Sequence, residues 1–96
     1  MQFILIAYDG TDPEAMERRM KVREEHLTKV GVLKKESVVL FGGAILDDEN
    51  KMIGSTIVYE VTDRLALDER LKDEPYITGD VWKKIEIKPF RLAKIG

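Results

Sequence analysis

From Gln2 to Tyr8 the chain places Phe3, Leu5 and Ala7 on one alternating face and Ile4, Ile6 and Tyr8 on the other. That pattern predicts a β-strand covered on both sides. Asp9-Gly10 turns the chain, and Asp12-Pro13 reads as an N-cap followed by proline at the first helical position, with Glu14 and Glu17 complementing the helix dipole. A helix is expected from about Pro13 to Val30, stopping at Gly31. On a wheel of about 100° per residue, Met16, Met20, Leu27 and Val30 share one stripe, expected to face the core.

The second half repeats the alternation. Ser37 to Leu46 reads as a strand in which Gly42-Gly43 predicts a bulge or a close approach to the backbone. Asp47 to Lys51 forms a polar hairpin loop, and Met52 to Val61 the third strand. Thr62 or Asp63 caps a second helix lasting to about Leu71, Pro75 bars its continuation, and Trp82 to Phe90 is a fourth strand. The order β-α-β-β-α-β predicts an α+β fold of ferredoxin-like type, with both helices on one face of a four-stranded antiparallel sheet. The other sheet face keeps apolar positions, which predicts two sheets packed face to face in a twofold homodimer, a dimeric α+β barrel, or a higher oligomer of such dimers. The alternative is a monomer with a semi-polar open face.

A length of 96 residues predicts a single domain over the whole chain, and 44% hydrophobic with 35% charged residues is the balance of a folded globular protein. The longest apolar run, Phe3 to Tyr8, falls far short of the ~20 residues that span a bilayer, and no basic segment precedes it, so a cytoplasmic protein without a membrane partner is expected. There is no cysteine and one histidine, which excludes disulfides, thiolate metal sites, cysteine nucleophiles and histidine-rich zinc sites; no metal is expected. The net charge of −2 comes from 16 basic and 18 acidic residues mixed along the chain, which argues against a nucleic-acid partner.

Arg19, Arg23 and His26 form an i, i+4, i+7 row beside the predicted core stripe, with Arg23 in its middle. Burying arginine without an anion costs several kcal/mol, so these groups need a carboxylate, a solvent-filled cleft or an anionic ligand. The plainer account has Arg23 reaching a surface ion pair and His26 bonded to a carbonyl. The acidic candidates are Asp73 and Glu74, just before Pro75-Tyr76, and the pattern alone does not connect either to His26.

Four stretches carry a family resemblance. Arg23-Glu24-Glu25-His26-Leu27 resembles the R-x-x-H-L of the YciI-like family, small α+β proteins related to the muconolactone isomerases; Gly54-Ser55-Thr56 is similar to its G-S-T, Glu74-Pro75-Tyr76 with Gly79 to its D-P-Y-x-x-x-G, and Lys88-Pro89-Phe90 to its K-P-F. The resemblance spans nearly the whole chain. It implies a His-carboxylate pair for acid-base chemistry between His26 and Glu74, with Glu74 replacing the family's aspartate and Asp73 one residue earlier as a competitor. If the pair forms, Arg23 is placed to bind a carboxylate or enolate oxygen, and Gly42 and Gly43 admit a ligand to backbone amides. Ser55 and Tyr76 join the candidate ligand contacts, although Tyr76 and Trp82 are residue types that more often pack. The implied activity is a cofactor-free isomerase, lyase or dehalogenating step on a small anionic molecule. The alternatives are a non-catalytic binding protein for a small anionic metabolite and a purely structural dimer.

Overall fold

The computed structural model describes residues 1–95. Its first strand, β1 (Gln2–Asp9), is interior to a four-stranded sheet. It pairs antiparallel with β3 (Met52–Glu60) on one side and β4 (Trp82–Phe90) on the other. The fourth strand, β2 (Val39–Leu46), adds antiparallel beyond β3, giving the order β2-β3-β1-β4 of a ferredoxin-like fold. This position explains why β1 is apolar on both faces. Phe3, Leu5 and Ala7 are buried on the helix-covered face, opposite Tyr59, Ile57 and Ser55. On the open face Ile4 and Ile6 lie between Val58 and Thr56 of β3 and Lys88 and Glu86 of β4. That face is apolar at its centre and charged along the β4 edge. Gly54, opposite Tyr8, is required by close approach, because a Cβ there would strike the Ala7 carbonyl oxygen.

The first helix, α1 (Ala15–Lys35), differs from expectation at both ends. Asp12 does not cap it, because both Asp12 carboxylate oxygens accept from the Arg18 guanidinium, at 2.9 and 2.8 Å. Nor does Gly31 stop it. The Val38 N–H donates to the Leu33 carbonyl at 2.9 Å and the Ser37 N–H to that of Lys34 at 3.1 Å, with Ser37 at φ 61°. This is a Schellman stop built on serine, and Val38 and Leu33 both pack against the core beside it. The rotation of α1 also departs from the wheel. Met16, Met20 and Leu27 are exposed, while Arg19, Val22, His26, Val30 and Leu33 face inward. The wheel counts hydropathy only, whereas here carboxylates from other elements draw Arg19 and His26 into the interior.

The ladder runs unbroken through Gly42 and Gly43, opposite Ile57 and Thr56, and the register shifts lie on either side of them, at Val39/Phe41 and Ile45/Leu46. The expected bulge at the glycines is therefore absent, because each has a ladder partner. Close approach holds at Gly42 only, where a Cβ would come within 3.2 Å of Ile57 Cγ1 and the Thr56 oxygen. The helix α2 (Arg64–Leu71) is capped by Asp63, whose Oδ1 accepts the Ala66 N–H at 2.8 Å. Pro75 does more than bar its extension, since it opens a further short helix, α3 (Pro75–Thr78), at the first position, where its missing N–H costs nothing. Among the described residues no helix is long and apolar enough to cross a membrane.

Candidate functional site

The inward alternation of β1 continues past Ala7 to Asp9, which puts a carboxylate at the end of an apolar row. Arg19 answers it from α1: its Nη1 lies 3.0 Å from both Asp9 oxygens, and the two side chains are only 3% and 4% exposed. Removing one partner of such a buried pair costs roughly 3–5 kcal/mol, because the other charge is stranded. Burial raises the Asp9 pKa above the ordinary aspartate value, outweighing the opposing charge and hydrogen bonds of Arg19. Arg19 Nη2 donates to Ser55 Oγ at 2.9 Å, and Trp82 Nε1 donates to the same oxygen at 3.2 Å. Arg19 Nε is buried with no partner.

Tyr76 of α3 links this network to the histidine. Its ring stacks on His26 with centroids 3.9 Å apart and planes at 18°, and the Arg19 guanidinium carbon lies 4.5 Å from its centroid. Trp82 meets both rings edge-on, at 6.2 Å from His26 and 5.6 Å from Tyr76. Burial raises the Tyr76 phenol pKa against the opposing charges of Arg19 and Arg23.

The structure brings His26 to Glu74. Glu74 caps α3, with Oε2 accepting the Tyr76 N–H at 2.8 Å, and the same oxygen lies 2.8 Å from His26 Nδ1. The two side chains are 8% and 6% exposed. A carboxylate on Nδ1 selects the tautomer protonated there and leaves the Nε2 lone pair free. Asp73 turns outward instead: its side chain is 80% exposed, 3.9 Å from Lys29 Nζ.

A cavity of about 170 Å³ lies beside this pair, lined by Arg19, Arg23, His26, Gly42, Ser55 and Tyr76 among others, including Gly43. Of the sequence candidates, His26, Arg23, Gly42, Gly43, Ser55 and Tyr76 thus converge on one space. Arg23 also borders a groove on the outer side of α1, and among the described residues no carboxylate lies within ion-pair distance of it. Larger depressions, of about 700 and 590 Å³, contain neither member of the His26–Glu74 pair. Among the described residues no three metal-ligating side chains gather. Sequence reasoning missed Asp9, which reads as a turn residue, and the joint hold of Arg19 and Trp82 on Ser55. The parity of positions 3, 5, 7 and 9 was the available signal for Asp9.

The family model described as the YCII-related domain matches residues 1–91. The chain is 30% identical to an uncharacterized protein of Haemophilus influenzae and 27% identical to protein YciI of Escherichia coli O6:H1, in each case over 95% of this chain and 97% of the other. Among solved structures it is similar to the 5-chloro-2-hydroxyhydroquinone dehydrochlorinase TftG of Burkholderia phenoliruptrix AC1100 in complex with 2,5-dihydroxybenzoquinone. That match has a TM-score of 0.82 at 18% identity and covers 97% and 96% of the two chains. A dimeric ferredoxin-like protein of unknown function from Jannaschia sp. CCS1 matches with a TM-score of 0.53 at 15% identity, over 95% and 98%. At these identities the likeness is one of fold.

Proposed function

The chain belongs to the YCII-related domain family, and we propose that it is a cofactor-free small-molecule enzyme in which His26, oriented by Glu74, moves a proton on a single-ring anionic compound. The reaction is of isomerase, lyase or dehalogenating type. The observation that carries this reading is the buried 2.8 Å contact between His26 Nδ1 and Glu74 Oε2 at the wall of a cavity. Glu74 stabilises the imidazolium that forms when Nε2 takes a proton, and Nε2 returns the proton to another atom of the ligand. A volume of about 170 Å³ suits one small ring, being close to the ~150 Å³ of a cavity that admits benzene.

Arg23, half-buried and without a carboxylate partner, supplies the charge for an anionic oxygen. Tyr76 lines the cavity with its ring stacked on His26, and Gly43, where a Cβ would meet nothing within 4 Å, leaves room along the backbone of β2. We place the protein in the cytoplasm as a twofold homodimer, the apolar centres of two open sheet faces covering one another. The second reading is a binding protein that holds a small anionic metabolite without turnover; the unpaired Arg23 favours it equally.

The test uses 2,5-dihydroxybenzoquinone as probe, with binding measured by calorimetry and deuterium entry at its ring carbons followed by NMR in heavy water. The enzyme reading expects exchange faster than in buffer and a loss of ~10²-fold or more in His26→Gln with binding retained. Binding without accelerated exchange leaves the binding-protein reading. Absence of binding defeats both.

A further inference from the structure

Ser55 is fixed on β3, its backbone paired with Ala7 on one side and Ala44 on the other, and it is 2% exposed. Its Oγ receives two N–H groups, one from Arg19 Nη2 and one from Trp82 Nε1. Guanidinium and indole nitrogens donate only, and a hydroxyl oxygen has two lone pairs. Both are therefore occupied, and the hydroxyl proton is what Ser55 has left. Among the described residues Ser55 Oγ donates to no acceptor. The two donors are not free to move away: Arg19 is pinned by Asp9 and lies against the Tyr76 ring, and Trp82 is packed in the core.

We propose that Ser55 is the anchoring donor of the cavity, able only to give a hydrogen bond, and that it selects ligands presenting an unprotonated oxygen, whether carbonyl, enolate or phenolate. The assignment rests on the reading of this cavity as a proton-transfer site and deepens it. When His26 Nε2 removes a proton from carbon next to a carbonyl, the C–H electron pair forms the C=C bond and the carbonyl π pair moves onto oxygen. The hydrogen bond from Ser55 strengthens on the charge that appears there. Return of the proton from Nε2 to a different carbon completes an isomerisation, and no co-reactant is consumed. An ammonium or amide N–H at this position sets donor against donor beside a buried guanidinium, so cationic ligands are rejected. Arg19 and Trp82 act as positioning residues, since they fill the lone pairs that would otherwise let the hydroxyl turn.

The experiment binds 4-nitrophenol, whose absorbance separates phenol from phenolate, and nitrobenzene, the same ring without the phenolic oxygen. In the wild type, bound 4-nitrophenol ionises at lower pH than the free probe. Ser55→Ala weakens phenolate binding by roughly ten- to hundredfold, the value of a hydrogen bond to a charged acceptor, and leaves nitrobenzene affinity unchanged. Ser55→Cys keeps an acceptor for Arg19 and Trp82 while donating far more weakly, and it shows the same loss should the alanine variant fail to fold. Phenolate binding as tight as wild type in either folded variant overturns the assignment. If the Ser55 variants lose phenolate preference while deuterium exchange is not accelerated, the donor role stands and only the proton-transfer chemistry falls. If exchange is accelerated and the variants bind phenolate as the wild type does, the chemistry stands and the donor role falls. A wild type that binds neither ring overturns both.

Discussion

Glu74 Oε2 and His26 Nδ1 stand 2.8 Å apart, and the same oxygen takes the backbone N–H of Tyr76, so the residue that caps α3 also orients the chain's single imidazole. The cap fixes the longer glutamate arm against the imidazole.

Glu74→Gln keeps an oxygen for the cap but removes the carboxylate charge beside His26 Nδ1. Ring deuterium exchange should fall by ~10²-fold or more, with a stability loss of about 1.5–3 kcal/mol in urea melts. Asp73→Asn should change neither, because its carboxylate faces solvent. Reversal of that order would make Asp73 the functional partner.

Arg23→Met keeps length and removes charge at a half-buried site without an ion pair. Affinity for 4-nitrophenolate should drop about tenfold or more, while stability stays within about 0.5 kcal/mol of wild type. A large stability loss with unchanged affinity would identify Arg23 as a structural residue.

Gly31→Ala should stabilise the protein. Gly31 is inside α1, a Cβ there meets nothing within 4 Å, and alanine is favoured over glycine in a helix by about 1 kcal/mol. A rise of roughly 4–8 °C in Tm is expected by calorimetry. A lowered Tm would show that this surface is covered in the assembled protein.

The same glycine shows where the sequence was a partial guide. All four strands followed from alternation and turn residues, because those signals are local, and the β-α-β-β-α-β order pointed to the ferredoxin-like sheet. The end of α1 did not, since Leu33, packed on the core beyond Gly31, outweighs the glycine's cost, and the true stop uses a serine in the left-handed region. His26 and Glu74 came together through motif resemblance, not periodicity. Asp9, Arg19, Ser55 and Trp82 form a network across four elements; the parity of β1 could place Asp9 inward, but the pairings, over separations of 10 to 36 positions, leave no local trace.

Tyr59 gives the pH prediction. Its phenol is buried, and burial, aided by the Glu74 charge, pushes its pKa above the usual tyrosine value. Between the unfolded pKa of about 10 and the higher folded one, the native chain holds a proton that the unfolded chain has lost. Stability is therefore undiminished by this group below about pH 10 and declines as pH rises further. Tyr59→Phe should move the alkaline unfolding midpoint, followed by circular dichroism, to higher pH. An unchanged or lower midpoint would sink the assignment.

Trp82 is the only tryptophan in the chain, and its indole N–H rests on the serine that lines the cavity while its ring meets His26 edge-on. Indole emission responds to what accepts its N–H and to imidazole quenchers nearby. The unmodified protein thus carries its own fluorescent reporter, free of background from a second indole. Compounds that engage Ser55 should register as a change in emission, so an unbiased library can be screened by light alone.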